Sequence, residues 1–410
     1  MPKVEACRIC GSDSLFKFLD LGPTPLANSF VKPGDAGKDE PRYPLDVCLC
    51  RECGLVQLGY VVPPEIMFKD YIYFSSTSDT LRAHFAELAR EALERHLSEG
   101  DLVVEIASND GVLLKNLLGK GVRVLGVEPA TNVARVAIES GVDTLNDFFN
   151  SETAKSIRES KGPAKLILAN NVFAHIPDLH GCVQGFSTLL SDDGAVIIEF
   201  PYLGELCRNT EFDTIYHEHL SYFSLKPIMR LFESHGMEVF DASFQAVHGG
   251  TIRVYIQKKN GGHKVDAAKI SGILASEAKA GLYDPAFYAS FAQAVNRLRS
   301  ELVSLLERLK AEGKSVAIYG APAKGNTLLN FCKINTGLVS FAVDKSGYKQ
   351  GLLTPGTHIP IFGTSLIMER RPDYLLILAW NFSDEIIAQQ SEYRKSGGKF
   401  IIPVPKPRIV

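Results

Sequence analysis

Apolar and polar residues change rhythm twice along this chain. The segment LRAHFAELAREALERHL (81–97) repeats apolar residues at helical spacing, and DLVVEIASNDG (101–111) then reads as a buried strand that breaks into a turn. Strand and helix signals alternate to about residue 200, through VRVLGVEP (122–129), a helix over 131–140, KLILANNVF (165–173), another helix, and GAVIIEFPY (194–202). This alternation predicts an α/β domain with a parallel sheet. A second alternation follows, with a long helix over roughly 286–312 and strands in SVAIYG (315–320), LVSFAVD (338–344) and DYLLILAW (373–380). Residues 256–285 read as a connector into this second doubly wound unit. Ahead of both lies a segment rich in Cys, Pro and Gly with short apolar runs such as Gly54 to Leu58, the pattern of a loop-and-hairpin module. So small a module buries little core and needs a staple. The expected fold class is α/β in three domains: 1–72 a small metal-binding module, 73–255 a Rossmann-like domain, and 256–410 a second Rossmann-like domain.

Composition narrows the partners. At 410 residues, 45% hydrophobic and 22% charged, the chain is a soluble multidomain protein by composition. A net charge of -3 gives none of the clustered basic excess that binding a nucleic-acid backbone requires, which favours a small-molecule ligand. The N-terminal MPKVEACRIC has no apolar signal region, and no stretch reaches the roughly 18–20 apolar residues of a membrane span, so a cytoplasmic protein is expected. Of eight cysteines, Cys7, Cys10, Cys48, Cys50 and Cys53 crowd into the N-terminal module, which in a reducing compartment points to metal rather than disulfides.

Cys7-Arg-Ile-Cys10 and Cys50-Arg-Glu-Cys53 are C-x2-C pairs, each followed by glycine, and each can wrap one side of a tetrahedral ion. Zinc with four sulfur ligands and no open position implies a structural role. On an extended strand Cys48 lies on the same side as Cys50 and is the alternative ligand, at a poorer chelate spacing.

Glu105-Ile-Ala-Ser-Asn-Asp-Gly111 joins a strand to the apolar run VLLKNLL (112–118), read as a helix, so backbone N–H groups converge where a polar ligand can bind. Glu128, at the end of the next strand, is placed to accept both hydroxyls of a ribose. These residues resemble the class I S-adenosylmethionine-dependent methyltransferases. The resemblance implies that Glu105, Ala107, Asn109 and Gly111 form the methionine and ribose turn and that Glu128 grips the ribose. It further implies that Asp147 and Phe148 border the adenine and that Asn170 holds the methionine ammonium. Ala107 and Asn109 stand where that family usually has glycines.

The run FDTIYHEHLSYFS (212–224) carries more titratable chemistry than a core tolerates. A zinc site is a poor reading, because His217 and His219 are two apart rather than one helical turn apart. The run begins just after the fifth strand, at the carboxyl edge of the sheet, and proton transfer is the better reading; His217 is expected to face away and be structural. The whole chain resembles the nucleotide-sugar C-methyltransferases that add a branch methyl at C-3 of a 4-keto-6-deoxy sugar, through PLANSF (25–30), CGLVQL (53–58), YIYFSSTS (71–78), EIASNDG, FDTIYHEH, HGGTIRV (248–254) and YGAPAKGNTLLN (319–330). The resemblance implies His219 as general base, Glu218 orienting or polarising it, and Tyr216 and His175 at the substrate. Tyr71, Tyr73, Ser75, Ser76, Ser78, Tyr202, His248, Arg253, Gly320 and Lys324 form the expected sugar-nucleotide set, with Gly320 and Lys324 read as a diphosphate site. The expected partners are S-adenosylmethionine, structural Zn2+ and a nucleotide-linked 4-keto-6-deoxy sugar, in its dTDP form, with no nucleic acid and no membrane, on a monomer or small homo-oligomer. An RNA methyltransferase with a zinc module, an NAD-dependent oxidoreductase built on Asp344, and a non-catalytic sugar-nucleotide binder are the competing readings. The first lacks a basic surface and the second lacks Gly-x-Gly-x-x-Gly.

Overall fold

In the computed structural model, which describes residues 3–67, 74–247 and 249–410, three sheets account for the strands. The central one has seven strands in the spatial order Met237–Gln245, Thr251–Lys258, Leu190–Pro201, Ala164–Asn170, Leu102–Ile106, Arg123–Val127 and Thr144–Leu145. The last five named run parallel, and the first two close the other edge as an antiparallel hairpin. All five residues of Leu102–Ile106 are buried, Glu105 among four apolar neighbours, as a central strand of a parallel sheet covered on both faces requires. Its side chains alternate between two cores. Val104 and Ile106 join Ile167, Val196 and Ile198 on one face, and Val103 joins Leu166, Leu168 and Ile197 on the other. The second face is covered by helix Asp79–Arg95 through Leu81, Phe85 and Leu88, each contributing about 1.5–3 kcal/mol on burial. Ser78 starts that helix, its hydroxyl accepting from the Leu81 N–H at 3.3 Å.

Chain order reverses between Leu102–Ile106 and Ala164–Asn170, so a crevice opens beyond their carboxyl ends, where open α/β sheets bind ligands. The C-terminal sheet has the order Ile361–Phe362, Ala342–Val343, Val316–Tyr319, Tyr374–Ile377, Lys399–Ile402 and Arg408–Ile409. Its own switch point lies between Val316–Tyr319 and Tyr374–Ile377.

The N-terminal module is a small antiparallel sheet, Leu15–Asp20, Asp46–Cys50 and Val56–Leu58, completed by Ser221–Tyr222 from the end of the FDTIYHEH run. The 27-residue helix Pro285–Ala311 lies against Leu15–Asp20, with the rings of Phe18 and Tyr288 at 4.6 Å. The three expected segments therefore interlock in space.

One element differs from expectation. VLLKNLL forms only a 3-10 stretch, Leu114–Leu117, because it is bounded by Gly111 at φ 73° and Gly119 at φ 70° and is too short to sustain an α-helix. The connector over 256–285 finishes strand Thr251–Lys258 and then turns helical, as its pattern predicts, in Ala267–Ala280, whose Glu277 is buried. No helix among the described residues is long and apolar enough to cross a membrane.

Candidate functional site

The turn after Leu102–Ile106 explains why residues other than glycine stand in it. Ala107 and Asn109 have φ of 48° and 51°, the left-handed region in which glycine is usual and asparagine is tolerated, and Gly111 follows at 73°. Glu128 is buried and braces the turn, one carboxylate oxygen accepting from the Asn109 N–H and the other from the Ala130 N–H, each at 2.9 Å. A carboxylate has about four lone-pair positions, so two remain for ribose hydroxyls. Burial raises its pKa.

Glu105 and Asn170 flank the switch point. Burial holds the Glu105 carboxyl well above the usual carboxylate range, with Asn170 against it. One Glu105 oxygen, both polar atoms of the Asn170 carboxamide, the Ser108 hydroxyl and one Asp110 oxygen are buried without a hydrogen-bond partner. Such groups are costly unless a ligand satisfies them. At the next edge Asn146 donates to the carbonyls of Glu128 and Pro129 at 2.7 and 3.0 Å, and Asp147 accepts from the Phe148 N–H at 2.7 Å. Phe148 is left 54% exposed, an apolar face available to a planar ring.

His175 follows Asn170 in the 3-10 turn Phe173–His175, and the Leu220 N–H donates to Ala174 O at 2.8 Å, which draws the FDTIYHEH run onto this edge. The rings of His175 and His219 meet edge to face at 4.8 Å. His219 Nδ1 is 2.7 Å from the Thr214 carbonyl, which can only accept, so Nδ1 carries the proton and Nε2 is bare. The Tyr216 hydroxyl donates to that Nε2 at 2.9 Å. Burial pushes the His175 pKa down to about 4, so its ring stays neutral at physiological pH, with the carbonyls of Glu218 and Asn171 as neighbours. Tyr216 and His219 are half-buried, whereas His217 is buried with Nε2 at 3.3 and 3.2 Å from the carbonyls of Tyr43 and Pro44, in line with its structural reading.

Glu218 departs from its expected role. Its carboxylate accepts from Asn28 Nδ2 at 2.7 Å, and Thr214, not a carboxylate, orients the His219 ring. Burial pushes the Glu218 pKa up to about 7 against that hydrogen bond. Asn28 belongs to PLANSF, so the N-terminal module supplies a group to this edge.

Among the described residues, the members of the expected sugar-nucleotide set stand at several separate places. Tyr71, Tyr73 and His248 lie outside the described residues. Ser75 and Ser76 lie against the Ala107–Gly111 turn, their N–H groups donating to Asn109 Oδ1 and Asp110 Oδ2 at 2.9 and 3.3 Å, and Ser78 is a helix cap. Tyr202 is buried with its hydroxyl committed to Glu277 at 3.0 Å. Arg253 is buried on a central strand, where a guanidinium must be paired, and binds Glu199 at 2.9 Å and Glu91 at 2.6 Å, with His84 on the other Glu199 oxygen at 2.6 Å.

Lys324 and Gly320 are also spoken for. The Ala321 N–H of the Gly320 turn donates to Asp344 at 2.8 Å, so the turn holds one of the protein's own carboxylates. Lys324 binds Asn381 and stands over the Trp380 ring at 3.8 Å. Burial lowers its pKa to about 8, opposed by the nearby Asp213 and Glu211. A Cβ on Gly249 would lie 2.5 Å from Glu211 Oε1, so the close approach this glycine permits is to Glu211. A cavity of about 190 Å³ opens beside this group, lined among others by Thr80, Val247, Gly249, Asn381 and Glu385.

In the N-terminal module Cys7, Cys10, Cys50 and Cys53 bring their Sγ atoms within 4.8 Å of one another. Cys7 to Cys53 is 3.4 Å and Cys10 to Cys50 is 3.5 Å. A tetrahedral zinc with Zn–S of about 2.3 Å needs S···S separations of about 3.8 Å, so the set fits. Cys48, paired in register with Lys17 and Gln57, stands outside it.

Family models match nearly the whole chain: a zinc binding domain over 7–68, a methyltransferase domain over 79–242 and a C-methyltransferase C-terminal domain over 246–405. C-methyltransferase NovU from Streptomyces niveus is 40% identical over 408 residues, covering 99% of this chain and 97% of NovU. The chain belongs to the C-methyltransferase family. Among solved structures, magnesium protoporphyrin IX methyltransferase from Synechocystis, with S-adenosylhomocysteine bound, is 11% identical and covers 48% of this chain and 92% of its own, at a TM-score of 0.35. An S-adenosylmethionine-dependent methyltransferase from Clostridium acetobutylicum is 12% identical and covers 45% and 94%, at a TM-score of 0.36.

An S-adenosylmethionine-dependent C-methyltransferase needs a cofactor cradle, and the unpartnered buried groups of Glu105, Ser108, Asp110 and Asn170 beside the braced turn fit that cofactor. Glu128→Gln is expected to weaken S-adenosylhomocysteine binding by about tenfold to a hundredfold, since a hydrogen bond to a charged group contributes about 1.5–3 kcal/mol. Titration calorimetry checks this, and an unchanged Kd would remove Glu128 from the cofactor site. Beside the expected residues stand Thr214, whose carbonyl meets His219, and Asn28, whose amide meets Glu218; sequence reading missed both. Thr214 acts through its carbonyl and leaves no sequence signal. Asn28 lay in a stretch noted only for its family likeness.

Proposed function

We propose that this C-methyltransferase adds a methyl group at C-3 of a nucleotide-linked 4-keto-6-deoxy sugar through an enolate, with His219 as the base. The observation that supports the reading is the His219 tautomer: Nδ1–H is held by the Thr214 carbonyl, and the unprotonated Nε2 of this half-buried ring accepts from the Tyr216 hydroxyl. A hydrogen alpha to a ketone is removable at neutral pH only if the developing oxyanion is stabilised. His219 Nε2 takes the C-3 proton. The Tyr216 hydroxyl, which rests on Nε2 in the structure, turns to the enolate oxygen when the ketone enters. Neutral His175, edge-on to His219, closes the opposite side and keeps the base from acquiring a charged neighbour. Bound S-adenosylmethionine supplies an electrophilic methyl group, and Glu105, Glu128 and Asn170 would hold it. Zinc in the Cys7, Cys10, Cys50 and Cys53 set serves a structural role, because four thiolates leave no open position.

Incubation with S-adenosylmethionine and a panel of nucleotide-linked 4-keto-6-deoxy sugars, read by mass spectrometry, should show the gain of one methylene unit on a dTDP-linked member. Methylation of the corresponding 4-hydroxy sugars at a comparable rate would contradict an enolate route.

A further inference from the structure

The switch-point crevice of the C-terminal sheet, where a doubly wound domain ordinarily takes a ligand, is filled by part of the middle domain. Asp213 enters it fully buried, and its Oδ2 accepts from Trp380 Nε1–H at 2.7 Å. Trp380 follows Tyr374–Ile377, and Lys324 opens the helix that follows Val316–Tyr319, so both sides of the switch point close on one carboxylate. Lys324 lies over the Trp380 ring and within electrostatic reach of Asp213. Phe212 packs on Phe331 of the same helix, rings 5.2 Å apart. These contacts seat the single turn Phe212–Thr214, which is closed by Ile215 N–H to Phe212 O at 3.0 Å and by Thr214 Oγ1–H to Glu211 O at 2.7 Å. The Thr214 carbonyl on that turn accepts the His219 Nδ1 proton.

We propose that the C-terminal domain clasps Asp213 through Trp380 in place of a ligand and thereby sets the tautomer of His219, making Asp213 and Trp380 positioning residues for proton abstraction. The inference rests on His219 being the base. If the turn shifts, the Nδ1 acceptor is lost, the imidazole samples the Nε2–H form, and the fraction able to accept a proton at Nε2 falls. A wrong tautomer is known to cost orders of magnitude in catalysis where the imidazole orienter is removed outright; a displaced carbonyl should cost less, about tenfold in kcat.

The test uses full-length protein with 15N-labelled histidine. The His219 resonances are assigned by their loss in His219→Asn. Wild type should show the Nδ1–H, bare Nε2 form; the opposite tautomer in wild type would overturn the proposal without any further variant. Trp380→Phe keeps the ring under Lys324 and removes only the donor. It should give mixed tautomers, kcat lower by about tenfold, KM for both substrates within about twofold, and a displaced basic limb in the pH profile. Asp213→Asn, which keeps the shape but turns an amide toward Lys324, should move the same readouts in the same direction. Melting temperature and S-adenosylhomocysteine affinity confirm folding. A folded variant of either kind with the wild-type tautomer and kcat overturns the positioning role, whereas full activity in His219→Asn overturns the base assignment itself.

Discussion

His219→Asn is expected to lower methyl transfer by about 10²–10⁴-fold, the usual contribution of a positioned general base, while S-adenosylhomocysteine binds with unchanged affinity. The geometry makes the substitution selective. An asparagine amide can still donate to the Thr214 carbonyl in place of Nδ1–H, so the turn keeps its partner, but the bare nitrogen that faces Tyr216 is gone. His175 is too weak a base to take over, because burial pushes its pKa down to about 4. Steady-state rates by mass spectrometry and calorimetric titration together check the two halves of the expectation. Retained turnover would require another base, and loss of cofactor affinity would mean that the residue acts through the cofactor site.

Removing the zinc is the second large effect. The N-terminal sheet is too small to be stable on burial alone, and a structural zinc supplies free energy on the order of 10 kcal/mol in small modules. The consequence reaches the reaction edge, because Asn28 from this module holds Glu218 and Ser221–Tyr222 is zipped onto strand Val56–Leu58. Protein stripped with a chelator, or carrying Cys53→Ser, should lose the lowest-melting transition in calorimetry and should fall at least about tenfold in turnover. Cys48→Ser should retain both, since Cys48 stands outside the cluster. Metal analysis of the native protein should give about one zinc per chain. A zinc-free protein with wild-type melting and turnover would leave the cysteine cluster without a structural role.

Much of this was legible in the residues themselves. The cysteine pairs declared their site because chelate spacing is local, and the structure chose Cys50 over Cys48 through strand register. The Ala107 and Asn109 positions were readable as a departure from glycine, but only the backbone angles show that the left-handed turn is kept. Lys324 and Gly320 read as an anion site because a strand, a small-residue turn and a lysine look like one from within one domain. The carboxylates that neutralise Lys324, Asp213 and Glu211, come from another domain, and no local pattern announces them. The partners of Arg253 and Tyr202 were hidden for a related reason, since a buried guanidinium or phenol is defined by groups distant in sequence, here Glu199, Glu91 and Glu277. The helix expected over VLLKNLL failed on length and on its glycine borders.

Enolate formation at C-3 can be separated from methyl transfer. Wild-type enzyme, held in D2O with S-adenosylhomocysteine in place of the methyl donor and supplied with a dTDP-4-keto-6-deoxy sugar, should incorporate solvent deuterium at C-3, and His219→Asn should not. Exchange at the wild-type rate in His219→Asn, or methylation by wild type under conditions where no exchange can be detected, would contradict proton abstraction by this imidazole.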